Sequence, residues 1–241
     1  MNILNIAAYR FVALDELEVL RKSLFDLCHR ENLRGTILLA PEGINLFVAG
    51  PAAGVGLLRA ALATDERLRG LDFKESWSPV MPFRRLKVKV KKEIIAFGVA
   101  GIDPARNPVP ALPPATLRAW LDQGRAVILV DTRNTFEVAE GSFAGAIHLG
   151  NDTFRGFAAV AGALDASDPE TPIVTFCTGG IRCEKAAPLL RRNGHRNVYQ
   201  LEGGILRYLE REGSAHFRGN CFVFDERGAL DAVLKPQNIE Q

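Results

Sequence analysis

The chain has 241 residues, 47% of them apolar, and a formal charge of +2, so it holds enough apolar material for one large domain or two modest ones. The charge neither marks nor excludes a nucleic-acid partner, because a basic face fits on a nearly neutral chain. No segment approaches the length of a membrane span, and the opening MNILNIAAYRFVALDELE lacks a basic region, an unbroken apolar core and a cleavage site. A cytoplasmic protein without a membrane partner is therefore expected. Four cysteines without a secretory signal argue against a disulfide framework, and the absence of CxxC or clustered Cys/His spacing leaves no metal expected.

In chain order, residues 2–12 form a strand-like run, and DELE at 15–18 predicts a helix capped by Asp15, with Glu18 three residues on, reaching about His29. GTILLA and INLFVAG, separated by PEG, read as two strands around a tight bend. A helix over 51–63 carries Leu57, Leu58, Ala61 and Leu62 on one stripe. Strand candidates LDFKESW, RRLKVKV and EIIAFG complete a β-α-β-β-α-β order, which predicts a ferredoxin-like (acylphosphatase-like) α+β domain over 1–98. The Pro- and Gly-rich stretch between Gly98 and Pro114 sustains neither a helix nor a central strand and is expected to be a linker over 99–114. Beyond it, PATLRAWLDQG is a helix, and AVILVDT, AIHL, PIVTFC and NVYQL are apolar strands with helical segments between most of them. That alternation predicts an α/β domain over 115–213 with a mainly parallel sheet covered on both faces. Residues 214–241 hold one short strand, CFVFD, and an expected loose end.

Chemistry concentrates in TFCTGGIRCEK, residues 175–185. In an open parallel sheet, ligands bind beyond the carboxyl ends of the strands, where Cys177 sits. Thr178, Gly179, Gly180 and Ile181 then lead to a helix starting near Arg182. Glycines let backbone N–H groups turn inward, the helix N-terminus adds partial positive charge and Arg182 adds a full one, so a thiolate or persulfide is favoured and the thiol pKa should fall. Cys183, in the first turn of that helix, is a candidate resolving thiol, the alternative being a small packed residue.

These residues resemble a known family. VDTRNTFEVAEGSFAGAIHL, TFCTGGIRCEKA and NVYQLEGGI are similar to the rhodanese domain, with Asp131, Arg133 and Glu137 in its first element, Cys177 to Arg182 in its six-residue persulfide loop, and Leu201 to Ile205 supporting that loop. Ser142 stands where a histidine is usual and Tyr208 where a tryptophan is common, both peripheral to the loop. Related dual-specificity phosphatases carry one more residue between Cys and Arg, so this loop resembles the sulfur-handling form. GTILLAPEGIN, the basic strand, CTGGIRCEKA and GNCFVFDER together resemble the rhodanese-containing tRNA uridine hydroxylases. That resemblance implies hydroxylation of the wobble uridine of tRNA, position 34, to 5-hydroxyuridine. It implies molecular oxygen as co-substrate, no evident cofactor, and Cys177 as the catalytic residue. Sulfurtransfer through a Cys177 persulfide is the alternative.

RRLKVKVKK alternates Lys87, Lys89 and Lys91 against Leu86, Val88 and Val90, the pattern of a basic strand face or of a solvated edge strand. With Arg84, Arg85 and a second cluster of Arg191, Arg192, His195 and Arg196, these residues are candidates for holding an anticodon stem-loop by its phosphates. Phe83 and Trp77 are stacking candidates or, more simply, core residues, and Glu42 and Asn45 of PEGIN are candidates for approaching the site. Cys28 and Cys221 read as core or half-buried positions, and His29, His148, His195 and His216 as structural. The sequence names no protein partner.

Overall fold

A computed structural model describes residues 2–165 and 170–237. It divides into two compact units, residues 1–95 and 96–241.

The first unit runs β1 (Ile3–Phe11), α1 (Leu17–Arg30), β2 (Arg34–Ala40), β3 (Gly43–Gly50), α2 (Ala52–Thr64), β4 (Lys74–Ser78) and β5 (Leu86–Val90). Its sheet order is β4-β1-β3-β2-β5, with every pairing antiparallel except β2 with β5. The first four strands and two helices form the expected ferredoxin-like α+β fold, and β5 extends the edge beside β2. Period-two alternation sends Leu4, Ile6 and Ala8 of β1, Leu46 and Val48 of β3, and Ile37 and Leu39 of β2 into one core. Leu24 and Cys28 of α1 and Val55, Leu58 and Leu62 of α2 close it, each such apolar side chain stabilising the unit by roughly 1.5–3 kcal/mol.

Four expectations are corrected here. The α1 N-cap is Glu16, in the left-handed region and without a side-chain cap bond, while Asp15 pairs with Arg67. Leu57 is exposed, because Val55 lies on the inward stripe instead. Trp77 is 54% exposed rather than packed in the core. EIIAFG is not a strand: Ile94 is buried and clamped, its N–H donating to Glu42 Oε1 at 2.8 Å and its carbonyl accepting from Asn45 Nδ2 at 3.2 Å.

The second unit begins with β6 (Ala111–Leu112), α3 (Pro114–Asp122), β7 (Ile128–Asp131), α4 (Thr135–Glu140), β8 (Gly141–Phe143), β9 (Ile147–His148) and α5 (Phe154–Val160). It continues with β10 (Ile173–Phe176), α6 (Cys183–Arg192), β11 (Val198–Leu201), α7 (Gly204–Glu212), β12 (Phe217–Gly219), β13 (Cys221–Phe222), β14 (Ala229–Leu230) and β15 (Pro236–Gln237). The main sheet is wholly parallel, in the order β6-β11-β10-β7-β9. β6 lies inside the stretch expected to be only a linker; two residues suffice to pair with the edge of β11. The C-terminal extension is likewise more ordered than its sequence implies: β12 pairs with β8, and β13, β14 and β15 form a small antiparallel sheet. Its last four residues lie outside the described residues.

Candidate active site

Cys177 directly follows β10, the central strand of the parallel sheet, and is wholly buried. Three loops meet there because β7, β10 and β11 are adjacent and all end on the same side. The loop after β10 is the catalytic candidate, the loop after β7 leads into α4 with Glu137, and the loop after β11 leads into α7.

The α7 loop fixes the cysteine loop from behind. Ile205 N–H donates to the Cys177 carbonyl at 2.9 Å and Leu206 N–H to the Thr178 carbonyl at 3.1 Å. This approach requires glycine at 204, where φ is +66° and a Cβ would lie 2.3 Å from the Cys177 carbonyl oxygen and 2.9 Å from Gly180 N. With its carbonyls turned toward α7, the loop aims amides at the sulfur, and Gly180 N–H donates to Cys177 Sγ at 3.1 Å.

Arg182 and Glu137 provide the frame. The Arg182 guanidinium grips Glu137 at both oxygens, at 2.6 and 2.8 Å, and both side chains are buried. Thr178 Oγ1 lies 3.4 Å from Arg182 Nη2 and 3.5 Å from Glu137 Oε1, which ties the start of the loop to its end. Glu137 is held in turn by the Asn134 N–H at 3.1 Å. Arg182 is therefore held by a carboxylate, with its charge beside the sulfur. A second buried pair, Arg133 with Asp131 at 2.6 Å, braces the β7 loop, and Arg133 also reaches the Gly141 carbonyl at 2.6 Å.

Burial alone pushes the Cys177 thiol up, but a hydrogen bond from Cys183, the Arg182 guanidinium, and the Arg182 and Gly180 amides outweigh it and hold the thiol at about 5. Burial and the neighbouring thiolate push Cys183 well above the ordinary thiol range, so it keeps its proton and donates it to Cys177. Thr132 Oγ1 lies 3.8 Å from Cys183 Sγ. As a protonated donor Cys183 steadies the thiolate; it is a poor nucleophile at neutral pH. Burial raises Cys28 to about 11 and Cys221 to about 12, so neither is ionised at neutral pH.

One consequence is measurable. Because the folded pKa of Cys177 is depressed, the thiolate is present above about pH 5 and is lost as pH falls through that value. Carboxamidomethylation of Cys177 by iodoacetamide, followed by peptide mass spectrometry, should be on its plateau at pH 7 and fall about tenfold per unit below the inflection. Burial slows the absolute rate without moving the inflection; an inflection near 9 would contradict the geometry.

Residues 3–94 match the family described as the UPF0176 acylphosphatase like domain, and residues 113–211 match the rhodanese-like domain. A tRNA uridine(34) hydroxylase of Variovorax paradoxus is 52% identical over 95% of this chain and 89% of its own length. Proteins of the same name from Bordetella petrii and Burkholderia pseudomallei are each 49% identical, over 97% and 98% of this chain and 95% and 82% of theirs. The chain belongs to the tRNA uridine(34) hydroxylase family.

Within this hydroxylase-family chain, the two departures from the rhodanese pattern have structural work. Ser142 Oγ donates to Asp131 Oδ2 at 2.7 Å, and Tyr208, wholly buried, packs against Phe143 and donates to the Ala215 carbonyl at 2.8 Å. His148 Nε2 lies 2.9 Å from the Arg133 carbonyl, and His216 Nε2 lies 2.7 Å from Asp122.

Register places Lys87 and Lys89 beside Thr36 and Leu38, on the sheet face opposite the helix-covered core; Arg84, Arg85 and Lys91 are exposed around them. Arg191 and Arg192, in contrast, close the ten-residue α6, whose other end is at the cysteine loop. At 1.5 Å per residue they stand roughly 15 Å along the helix from the thiol. There they suit the negative end of the helix, Arg192 donating to the Ala100 carbonyl at 2.8 Å. The structure therefore does not bring this second basic cluster to the site.

Sequence reasoning missed the aromatic wall beside the loop. Phe224, from the segment expected to trail off, lies with its ring centroid 5.9 Å from Arg182 Cζ, and it packs with Phe222 and Phe136. CFVFD carried the signal, two phenylalanines flanking a valine, but nothing in the sequence joins it to Phe136.

Proposed function

We propose that this protein hydroxylates carbon 5 of the wobble uridine of tRNA to 5-hydroxyuridine in the cytoplasm, with molecular oxygen as co-substrate and Cys177 as the reacting side chain. The observation that carries the chemistry is a buried sulfur held ionised by amide and thiol hydrogen bonds beside Arg182. A thiolate of this kind adds to carbon 6 of uracil, forming an S–C bond and turning carbon 5 into an enolate carbon that can meet an oxidant. After oxygen is delivered to carbon 5, loss of its proton expels the thiolate and restores the ring. The overall reaction takes one oxygen atom of O₂ into the base and reduces the other to water with two electrons and two protons from a thiol reductant, which leaves as its disulfide.

The rest of the loop serves that sulfur: Gly180 supplies an amide, Thr178, Gly179 and Ile181 set the curvature, Arg182 supplies charge, and Cys183 supplies the proton that pins the thiolate. The anticodon stem-loop is the part of tRNA engaged. Arg84, Arg85, Lys87, Lys89 and Lys91 bind tRNA phosphates, and the base taken up by the thiol is an unpaired one.

A second reading, sulfurtransfer through a Cys177 persulfide, draws on the same amide-lined loop. Purified protein incubated with unmodified tRNA, a thiol reductant and oxygen-18 gas distinguishes them. The hydroxylase reading expects 5-hydroxyuridine carrying the heavy isotope. Label entering from water instead, or thiosulfate-to-cyanide turnover with tRNA unchanged, would overturn it.

A further inference from the structure

We propose that Phe136, Phe222 and Phe224 form a stacking wall for the nucleobases next to the reacting uridine. This rests on the hydroxylase reading and deepens it, by assigning RNA-binding residues that do not touch the reacting atoms.

Phe136 precedes Glu137 on α4, while Phe222 and Phe224 come from β13 and the residues after it. Their ring centroids lie 5.1, 5.2 and 6.2 Å apart, with interplanar angles of 82–89°. Edge-to-face packing of this kind sets the edge of one ring on the face of the next and holds the three rings together. Phe136 is 48% and Phe224 57% exposed. Single exposed apolar side chains need no explanation, but a rigid exposed cluster marks a binding surface.

Its position selects the occupant. Glu137, next to Phe136, grips Arg182, and the Arg182 guanidinium lies over Phe224, so whatever rests on the wall is one side chain from the catalytic loop. Asp225, the acid beside Phe224, is neutralised by Arg227 at 2.6 Å, which removes a repulsive charge from the path of a polyanion. A uridine that offers carbon 6 to a buried thiol must leave its stack, and the bases beside it lose a neighbour. Flat aromatic faces replace that neighbour without regard to base identity, and single-stranded RNA is commonly bound this way.

The test is fluorescence anisotropy of labelled anticodon stem-loop RNA with uridine at the wobble position. Phe224→Ala and Phe136→Ala are each expected to raise Kd about tenfold. Phe224→Trp should bind at least as well as the wild type, and Phe224→Leu should bind as poorly as Phe224→Ala, because leucine keeps apolar area but has no ring face. Removing the base that flanks the wobble uridine should weaken wild-type binding by a similar factor and weaken Phe224→Ala no further. An unchanged alkylation rate of Cys177 in the variants shows that the loop is intact. Wild-type binding with unaltered Kd in both alanine variants, or full rescue by leucine, overturns the stacking wall alone. A wild-type protein that neither binds nor hydroxylates the RNA overturns the functional reading and this inference with it.

Discussion

Cys177→Ala is expected to leave the protein folded and to reduce hydroxylation at least about a thousandfold, to the level of a preparation without enzyme. The change removes one sulfur atom from a fully buried position, which costs about 1 kcal/mol and does not unfold a protein of this size. It leaves no orphaned cation, since Arg182 stays paired with Glu137 at 2.6 and 2.8 Å. The chemistry has no substitute, because burial keeps Cys28 and Cys221 protonated, and at Cys183 burial, the largest cause of its raised pKa, remains when the Cys177 thiolate is gone. Circular dichroism together with a hydroxylation time course checks both halves; retained activity would remove the sulfur from the mechanism.

Arg182→Met should harm both stability and activity. The arginine is the cation between two buried anions, the Glu137 carboxylate and the Cys177 thiolate, and methionine leaves both without a counter-charge. Breaking a buried pair in this way costs about 3–5 kcal/mol, and the melting temperature of the second unit should fall roughly 10 °C. The Cys177 thiolate responds by holding its proton, so its alkylation inflection should move upward from about 5, and thiolate chemistry at pH 7 should weaken accordingly. Arg182→Lys should rescue poorly, since a single ammonium cannot match the two-pronged contact with Glu137. Differential scanning calorimetry and the alkylation profile read the two effects separately. A variant as stable as the wild type with an unmoved inflection would show that the pair does not shape the site.

The cysteine loop was legible because its chemistry is local. A strand ending in cysteine, two glycines and an arginine before a helix state a strand-to-helix anion site within six residues, while the support from Leu201 to Ile205 was visible only through the likeness to the rhodanese domain, and the close approach at Gly204 only in the structure. The ferredoxin-like and parallel sheets were legible from period-two alternation and continuous apolar runs. What sequence could not show depends on distant partners. Asp15 has the chemistry of a helix cap but is drawn away by Arg67. EIIAFG has the apolar content of a strand but is fastened by Glu42 and Asn45. Arg191 and Arg192 share a short stretch with Cys177 in sequence, yet a helix length separates them. The aromatic wall joins residues nearly ninety positions apart through a two-residue strand, too short to show any periodicity.

The most direct test of the central claim is nucleoside mass spectrometry of tRNA from cells lacking this protein, aerobically grown and complemented with the wild-type gene. 5-Hydroxyuridine and its derivatives should disappear in its absence and return with the wild-type chain. Nucleosides unchanged by loss and by complementation would contradict the assignment, leaving a buried, ionised thiol whose substrate is something other than tRNA.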